Sequence, residues 1–434
     1  MERVYLVHCD RYDSQAIAKS IVVAAQALGV SLPHNQSVWL HPSCPWAHSQ
    51  FAPHAFTHPA ILEGAMLALQ GNAYTIATNS LTGFPTRYSY QKAGYNDLVR
   101  KKNVRLVALD ELPTSHVPTA SDALVHKEVP LPHWVRTAPF TVALPKLTGS
   151  TFLSYAGALR HHLSLLSGPA QVQHHHRLPA KMVDLLPIAP PNLIVVDAIQ
   201  AAHEGGELSG RPVALNLLII GTNLVVVDAI CALAYGLNPI EMPHLQVAAE
   251  RGYGPIDPAQ IAVLGELSLD ELRRRGQQVK GVDPLPEHYP LPPQVRVVRS
   301  PKAEIFGTAG GLTEVFFTFE HAGFSWRKAR ETTLVIGPVD AVPDGKSDVA
   351  TILFLDDTSR VTSYRGYSRI ARLRGRNIPL STLLSEVPYI MQVGNLRNSL
   401  GGEMLLARLT SQIMRLYYAW LIPQKSSMEK EVIV

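Results

Sequence analysis

The chain has 434 residues, 46% of them hydrophobic and 17% charged, with a net charge of +4. This composition builds a sizeable core and argues against wholesale disorder, and so small a charge gives no concentrated basic face for nucleic acid. Its three cysteines, Cys9, Cys44 and Cys231, lie far apart and outside any CxxC spacing, which argues against a disulfide framework or an all-cysteine metal centre and fits reduced thiols in the cytoplasm.

Taken in chain order, Val4–His8 is predicted as a strand and Ser14–Leu28 as a helix, with apolar residues at helical spacing and Gly29 as its stop. Neither a signal peptide nor a run of about 18 apolar residues is found, so no membrane span is expected. A second strand, Val38–Leu40, runs into the loop His41-Pro42-Ser43-Cys44-Pro45-Trp46-Ala47-His48, which proline keeps out of helix. Thr57-His58-Pro59 opens a helix, with Thr57 as N-cap and proline in the first turn. Tyr74–Ala77 is a third strand, Tyr88–Lys101 a helix interrupted at Ala93-Gly94-Tyr95, and Arg105–Leu109 a strand. The alternation predicts an α/β fold, mainly parallel sheet layers flanked by helices.

Ser115–Val135 is polar and proline-bearing; Thr141–Leu144 is a strand, and Phe152–Leu166 and Ala180–Leu186 are helix candidates. Between Pro190 and Asp228 lie three apolar runs, Leu193–Val196, Leu217–Ile220 and Leu224–Val227, each read as a buried strand. Asp197 ends the first and Asp228 the third, and a glycine-bearing loop, His203–Pro212, separates the first two. Helices over Ala229–Tyr235 and Pro243–Arg251 and a strand over Ile261–Leu264 follow. The five prolines of Gly281–Pro293 mark a linker. The expected organisation is a core over 1–275, in one or two lobes (1–112 and 113–275), a proline-rich linker over 276–299, and a smaller C-terminal α/β appendage over 300–434. The appendage is expected to hold strands at Leu334–Ile336 and Ile352–Leu355 and to end in a long amphipathic helix. That helix, 402–422, reads as a core or oligomer helix, with a peripheral membrane or protein contact as the alternative.

The residues suited to chemistry cluster at predicted strand ends. Lys146, in Pro-Lys-Leu-Thr-Gly-Ser, is placed to grip a phosphate or carboxylate, or is an exposed turn lysine. Arg160 is a second anion-binding candidate, with His41 and His58 nearby. Asp197, Glu204 and Asp228 are candidate acid, base or cation ligands if they converge; a strand-end aspartate also caps helices. His174-His175-His176 is a metal-ligand candidate or a solvated run, and no HExxH, GxSxG, GxGxxG or Walker spacing occurs. Thr308-Ala309-Gly310-Gly311 is glycine-rich without either phosphate-loop spacing.

Residues 1 to about 270 resemble the domain of unknown function 362 family. The resemblance rests on Thr57-His58-Pro59, Ala93-Gly94-Tyr95, Pro145-Lys146-Leu147, Val196-Asp197-Ala198-Ile199, Glu204-Gly205-Gly206, Ser209-Gly210-Arg211-Pro212, Val227-Asp228-Ala229 and Gly236-Leu237-Asn238-Pro239, in that order. The chain departs from the family at His41-Pro42-Ser43, where relatives have Lys-Pro-Asn. It departs again at Thr148-Gly149-Ser150, where they have Lys-x-His, and at Arg160-His161, where they have Lys-Asn. Many relatives also carry ferredoxin-type cysteines, which this chain lacks, so no iron–sulfur cluster is expected. In layout the family is similar to the lactate-racemase group, a likeness of fold that warrants little about function. The resemblance implies a pocket at strand-end loops for an anionic small molecule or a metal or nucleotide cofactor. The other expectation is a non-catalytic relative that acts as a binding or assembly protein.

Overall fold

The computed structural model describes residues 1–101, 103–138 and 140–425. Its strands are β1 (Glu2–His8), β2 (Ser37–Pro42), β3 (Ala73–Thr78), β4 (Val104–Ala108), β5 (Thr114–Pro118), β6 (Glu128–Pro132), β7 (Phe140–Leu144), β8 (Thr148–Ser150), β9 (Ser154–Ala156), β10 (Leu193–His203), β11 (Arg211–Gly221), β12 (Ile261–Gly265), β13 (Val295–Arg299), β14 (Thr332–Ala341), β15 (Thr351–Ser363) and β16 (Arg369–Leu373). Eight of them form the main sheet in the order β12-β1-β11-β10-β7-β2-β3-β4. Every pairing in it is parallel except those of β11, which runs against both β1 and β10. A second sheet in the C-terminal region, β13-β14-β15-β16, is wholly parallel.

The apolar runs become strands because both faces of the main sheet are covered. Along β10, Ile194 and Val196 enter one core cluster while Leu193 and Val195 enter the other, all four fully buried. Such a strand shows no polar alternation. The helix Ser14–Leu28 forms as expected: Asp13 accepts from Gln15 N and Ala16 N, and Gly29 closes it at φ 76°.

Three local expectations are corrected. Leu224–Val227 is not a strand but the opening of the helix Leu224–Ala234, because the Asn223 side chain accepts from Val225 N and Val226 N. All eleven residues of this helix are buried, so periodicity had no polar positions from which to tell helix from strand. Phe152–Leu166 is not one helix: β8 and β9 form a hairpin that turns through Ser154 at φ 71°, followed by a short helix, Ala158–His162. The helix at Pro59 is capped by His58, whose Nδ1 accepts from Ala60 N, while Thr57 is buried and bonds Ser43 N and Leu144 O instead. The glycine loop, for which the sequence set no strand pairing, joins β10 and β11 as an antiparallel hairpin within the otherwise parallel sheet.

The C-terminal region packs directly on the first part of the chain. Trp46, Phe51, Phe84 and Leu208 share one core cluster with Leu312, Phe316 and Phe319 of the helix Gly310–His321. This packing brings the two parts together around a cavity.

Candidate functional site

Strands β2, β3 and β7 are parallel, so their carboxyl ends open on one edge of the sheet, where α/β folds place their sites. The residues just beyond those ends, Ser43, Asn79 and Lys146, line a cavity. The short helix Ala158–His162 supplies Arg160 and His161 to its wall, and the loop between β10 and β11 supplies Glu207. From the C-terminal region, Gly307, Gly311, Glu314 and the segment Asn377–Leu380 complete it. The space between atoms, mouth included, is about 1110 Å³.

Lys146 is held at this edge by backbone pairing with β10: Asp197 N donates to Pro145 O at 2.8 Å and Leu147 N to Asp197 O at 3.1 Å. That register places the Lys146 ammonium 2.9 Å from Asp197 Oδ2 and 3.0 Å from the Tyr12 hydroxyl. Tyr12 in turn donates to Asp197 Oδ1 at 2.9 Å, and His58 N donates to Oδ2 at 3.0 Å. The Tyr12 and His58 rings stack 3.8 Å apart. Burial, followed by the Asp197 charge, raises the Tyr12 phenol above its ordinary range, so it stays protonated. Lys146 and Asp197 are therefore a buried, mutually neutralised pair, with both carboxylate oxygens occupied.

Arg160 differs from Lys146. Its Nε donates to Glu207 Oε1 at 2.8 Å, and among the described residues no hydrogen bond engages Nη1 or Nη2. Ser150 Oγ donates to the same oxygen, Glu207 Oε1, at 3.3 Å. Behind it stands Glu314, fully buried, with Oε1 accepting from Leu208 N and Ser209 N at 3.0 Å each. Burial, with the neighbouring Glu207 charge, raises the Glu314 carboxyl above the usual carboxylate range. Gly206 is required here, because a Cβ at this position would overlap Glu314 Oε2.

Two imidazoles stand on the β2 side. His41 Nε2 meets Ser164 Oγ at 2.7 Å, and its ring lies 4.2 Å from that of His161. Burial depresses both, His161 to about 3 and His41 well below its ordinary value, so both are neutral. Ser43 Oγ accepts from Lys146 N at 3.1 Å and sits 3.0 Å from His161 Nδ1. His161 Nε2 has no hydrogen-bond partner among the described residues.

Of the seven residues singled out from sequence, Lys146 and Arg160 line the cavity, and Asp197 and His58 support Lys146 from behind. His41 supports the wall through Ser164 and its ring contact with His161. Glu204 and Asp228 do not join them. Glu204, at φ 52° in the loop, faces outward to Lys280 Nζ at 2.7 Å. Asp228 is sealed in the core, where Tyr155 and His244 bond Oδ2 at 2.9 and 3.1 Å and Leu159 N bonds Oδ1 at 3.2 Å. The carboxylates at the cavity are Glu207 and Glu314. Glu207 is three residues from Glu204 in the same loop, and only the turn decides which faces in. Glu314 had no local signal beyond the nearby glycine run, whose Gly311 lines the cavity. Among the described residues, no group of three or more His, Cys, Asp or Glu is arranged to hold a metal ion. The three cysteines are free and buried.

Residues 38–233, from β2 to the end of the helix Leu224–Ala234, match the sequence model of the family described as domain of unknown function (DUF362). The resemblance expected from the ordered sequence blocks is thereby shown over this region, which holds Ser43, Lys146, Arg160 and Glu207 but not Glu314. No curated protein matches the chain. Among solved structures, the lactate racemase apoprotein from Thermoanaerobacterium thermosaccharolyticum is 14% identical, with a TM-score of 0.33 over 53% of this chain and 57% of that one. A protein from Thermotoga maritima is 11% identical, with a TM-score of 0.30 over 53% of this chain and 61% of that one. The chain thus spans less than two thirds of either, and neither likeness bears on chemistry. No helix among the described residues is long and apolar enough to cross a membrane.

Proposed function

We propose that the protein binds a small, mostly apolar molecule bearing one carboxylate or polarised carbonyl, in the cavity at the ends of β2, β3 and β7. The observation that carries this reading is the Arg160 guanidinium, anchored through Nε and uncommitted at Nη1 and Nη2. A planar fork held on one side is suited to take a planar oxygen acceptor on the other. Lys146 does not serve as a second anion site in this reading, because Asp197 already neutralises it. A nucleotide would set several phosphate charges against one available cation whose own charge Glu207 offsets, so a single weak anion fits better. Apolar walls from Phe152, Leu163, Ile378 and Leu380 suit the rest of the ligand. Asp197 then acts as a positioning carboxylate for Lys146, and the reading places the protein in the cytoplasm without an iron–sulfur cluster, its three cysteines being far apart along the chain and buried.

The test is mass spectrometry of small molecules released on denaturing the purified protein. Wild type should release one compound in stoichiometric amount and Arg160→Met none, with Arg160→Lys in between because it keeps the charge but not the fork. Release of nothing from wild type, or of equal amounts from wild type and Arg160→Met, refutes the reading.

A further inference from the structure

The helix ending the described chain, Leu396–Lys425, is kinked at Gly401, and beyond the kink its two faces are both largely apolar. One is used: Met404 and Ser411 are buried, and Ala407 and Tyr418 pack on the core. The opposite one is bare among the described residues. Leu405, Leu409, Ile413, Leu416 and Trp420 are 62%, 49%, 65%, 74% and 61% exposed. At about 100° per residue these five fall within one stripe, diametrically across from the packed face. Leu406 and Tyr417, 67% and 47% exposed, border it.

We infer that this stripe is a self-complementary interface and that two copies of the chain pair through it, antiparallel about a two-fold axis. Three observations select a second copy. First, the stripe is symmetric about the midpoint between Gln412 and Ile413. In an antiparallel pair Leu405 meets the partner's Trp420, Leu409 meets the partner's Leu416, and Ile413 lies beside the axis, as an isologous contact requires. Second, the area fits. The seven side chains expose on the order of 800 Å² together, the share each partner contributes to a standard stable interface. Third, the charges are wrong for a lipid surface. An interfacial helix carries lysines and arginines free to meet anionic headgroups. Here the only ionic side chains between Leu405 and Trp420 are Arg408 and Arg415, and both turn back onto the protein, to Gly83 O at 3.2 Å and Asp110 O at 3.0 Å.

The test is the mass of the purified full chain by sedimentation and light scattering. Wild type should run at twice the 47.5 kDa of one chain at micromolar concentration. Leu409→Glu with Leu416→Glu should weaken association on the order of a hundredfold or more while leaving the thermal melt of the monomer unchanged, since both side chains are exposed. Ile413→Cys should give a disulfide-linked dimer under mild oxidation and Leu405→Cys alone should not, against a quiet background because the native cysteines are buried. A monomeric wild type overturns the inference. So does a dimer indifferent to both glutamates, a Leu405→Cys homodimer formed as readily as the Ile413→Cys one, or a monomer that instead binds phosphatidylglycerol vesicles. None of these outcomes touches ligand release through Arg160, so the two proposals stand or fall separately.

Discussion

Replacing Asp197 with alanine is the most direct test of the Lys146 cluster. In the native protein the Lys146 side chain is 5% exposed and that of Asp197 is fully buried. Without the carboxylate, the ammonium keeps the Tyr12 hydroxyl as its remaining acceptor. Tyr12 O–H and His58 N lose theirs as well. Removing one partner of a buried ion pair costs about 3–5 kcal/mol, because a buried charge is left uncompensated. At roughly 2 °C per kcal/mol for a large domain, the melting temperature should fall by about 8 °C, read by calorimetry at pH 7. The decisive comparison is the double variant Asp197→Leu with Lys146→Met, which removes both charges and keeps the volume. It should recover at least half of the loss, although the Tyr12 O–H and His58 N donors still lack their Asp197 acceptors. An Asp197→Ala variant costing under about 1 kcal/mol, or a double variant whose loss equals the summed losses of Asp197→Leu and Lys146→Met made singly, would falsify the buried-pair account.

The other predictions follow from the remaining groups. Glu314 has its pKa raised in the fold, so its contribution is fully present below the unfolded carboxylate pKa of about 4.3 and is lost as pH rises through the folded value. Glu314→Gln should therefore gain stability over wild type as pH rises from 4.5 to 8, and parallel pH profiles of melting temperature would contradict this. His161 has the opposite sign. Held neutral, with its pKa lowered to about 3, it destabilises the protein as pH falls below the unfolded value of about 6.5. His161→Asn should flatten acid unfolding between pH 6.5 and 3, and an unchanged slope argues against it. Gly206→Ala forces a methyl into Glu314 and should cost about 1–3 kcal/mol, whereas Glu204→Ala, two residues away and facing solvent, should cost under about 1 kcal/mol. Equal losses in these two variants would put the loop the other way round.

Much of the main sheet was legible without coordinates. Strands β1 to β4, β7 and β12 announce themselves as short apolar runs between turn residues, and Gly29 marks a helix end by a local backbone requirement. The family resemblance was also local in origin, carried by short ordered blocks from Thr57 to Pro239. That Lys146 and Arg160 lie along one cavity could be anticipated because strand-end and helix positions are visible in one dimension. What the chain by itself determined, then, is what short-range geometry determines: periodicity, caps, and which residues follow a strand. Tertiary structure decided the rest. Leu224–Val227 took helix over strand because Asn223 capped it and every side was buried. Glu207 rather than Glu204 turned inward because Glu204 took the left-handed turn position and paired with Lys280. Glu314 reached the cavity from more than a hundred residues away because the helix Gly310–His321 packs against the loop after β10, leaving room only for Gly206. Contacts of that separation have no periodicity to read, so the carboxylates of the site belong to the fold and not to any one stretch of sequence.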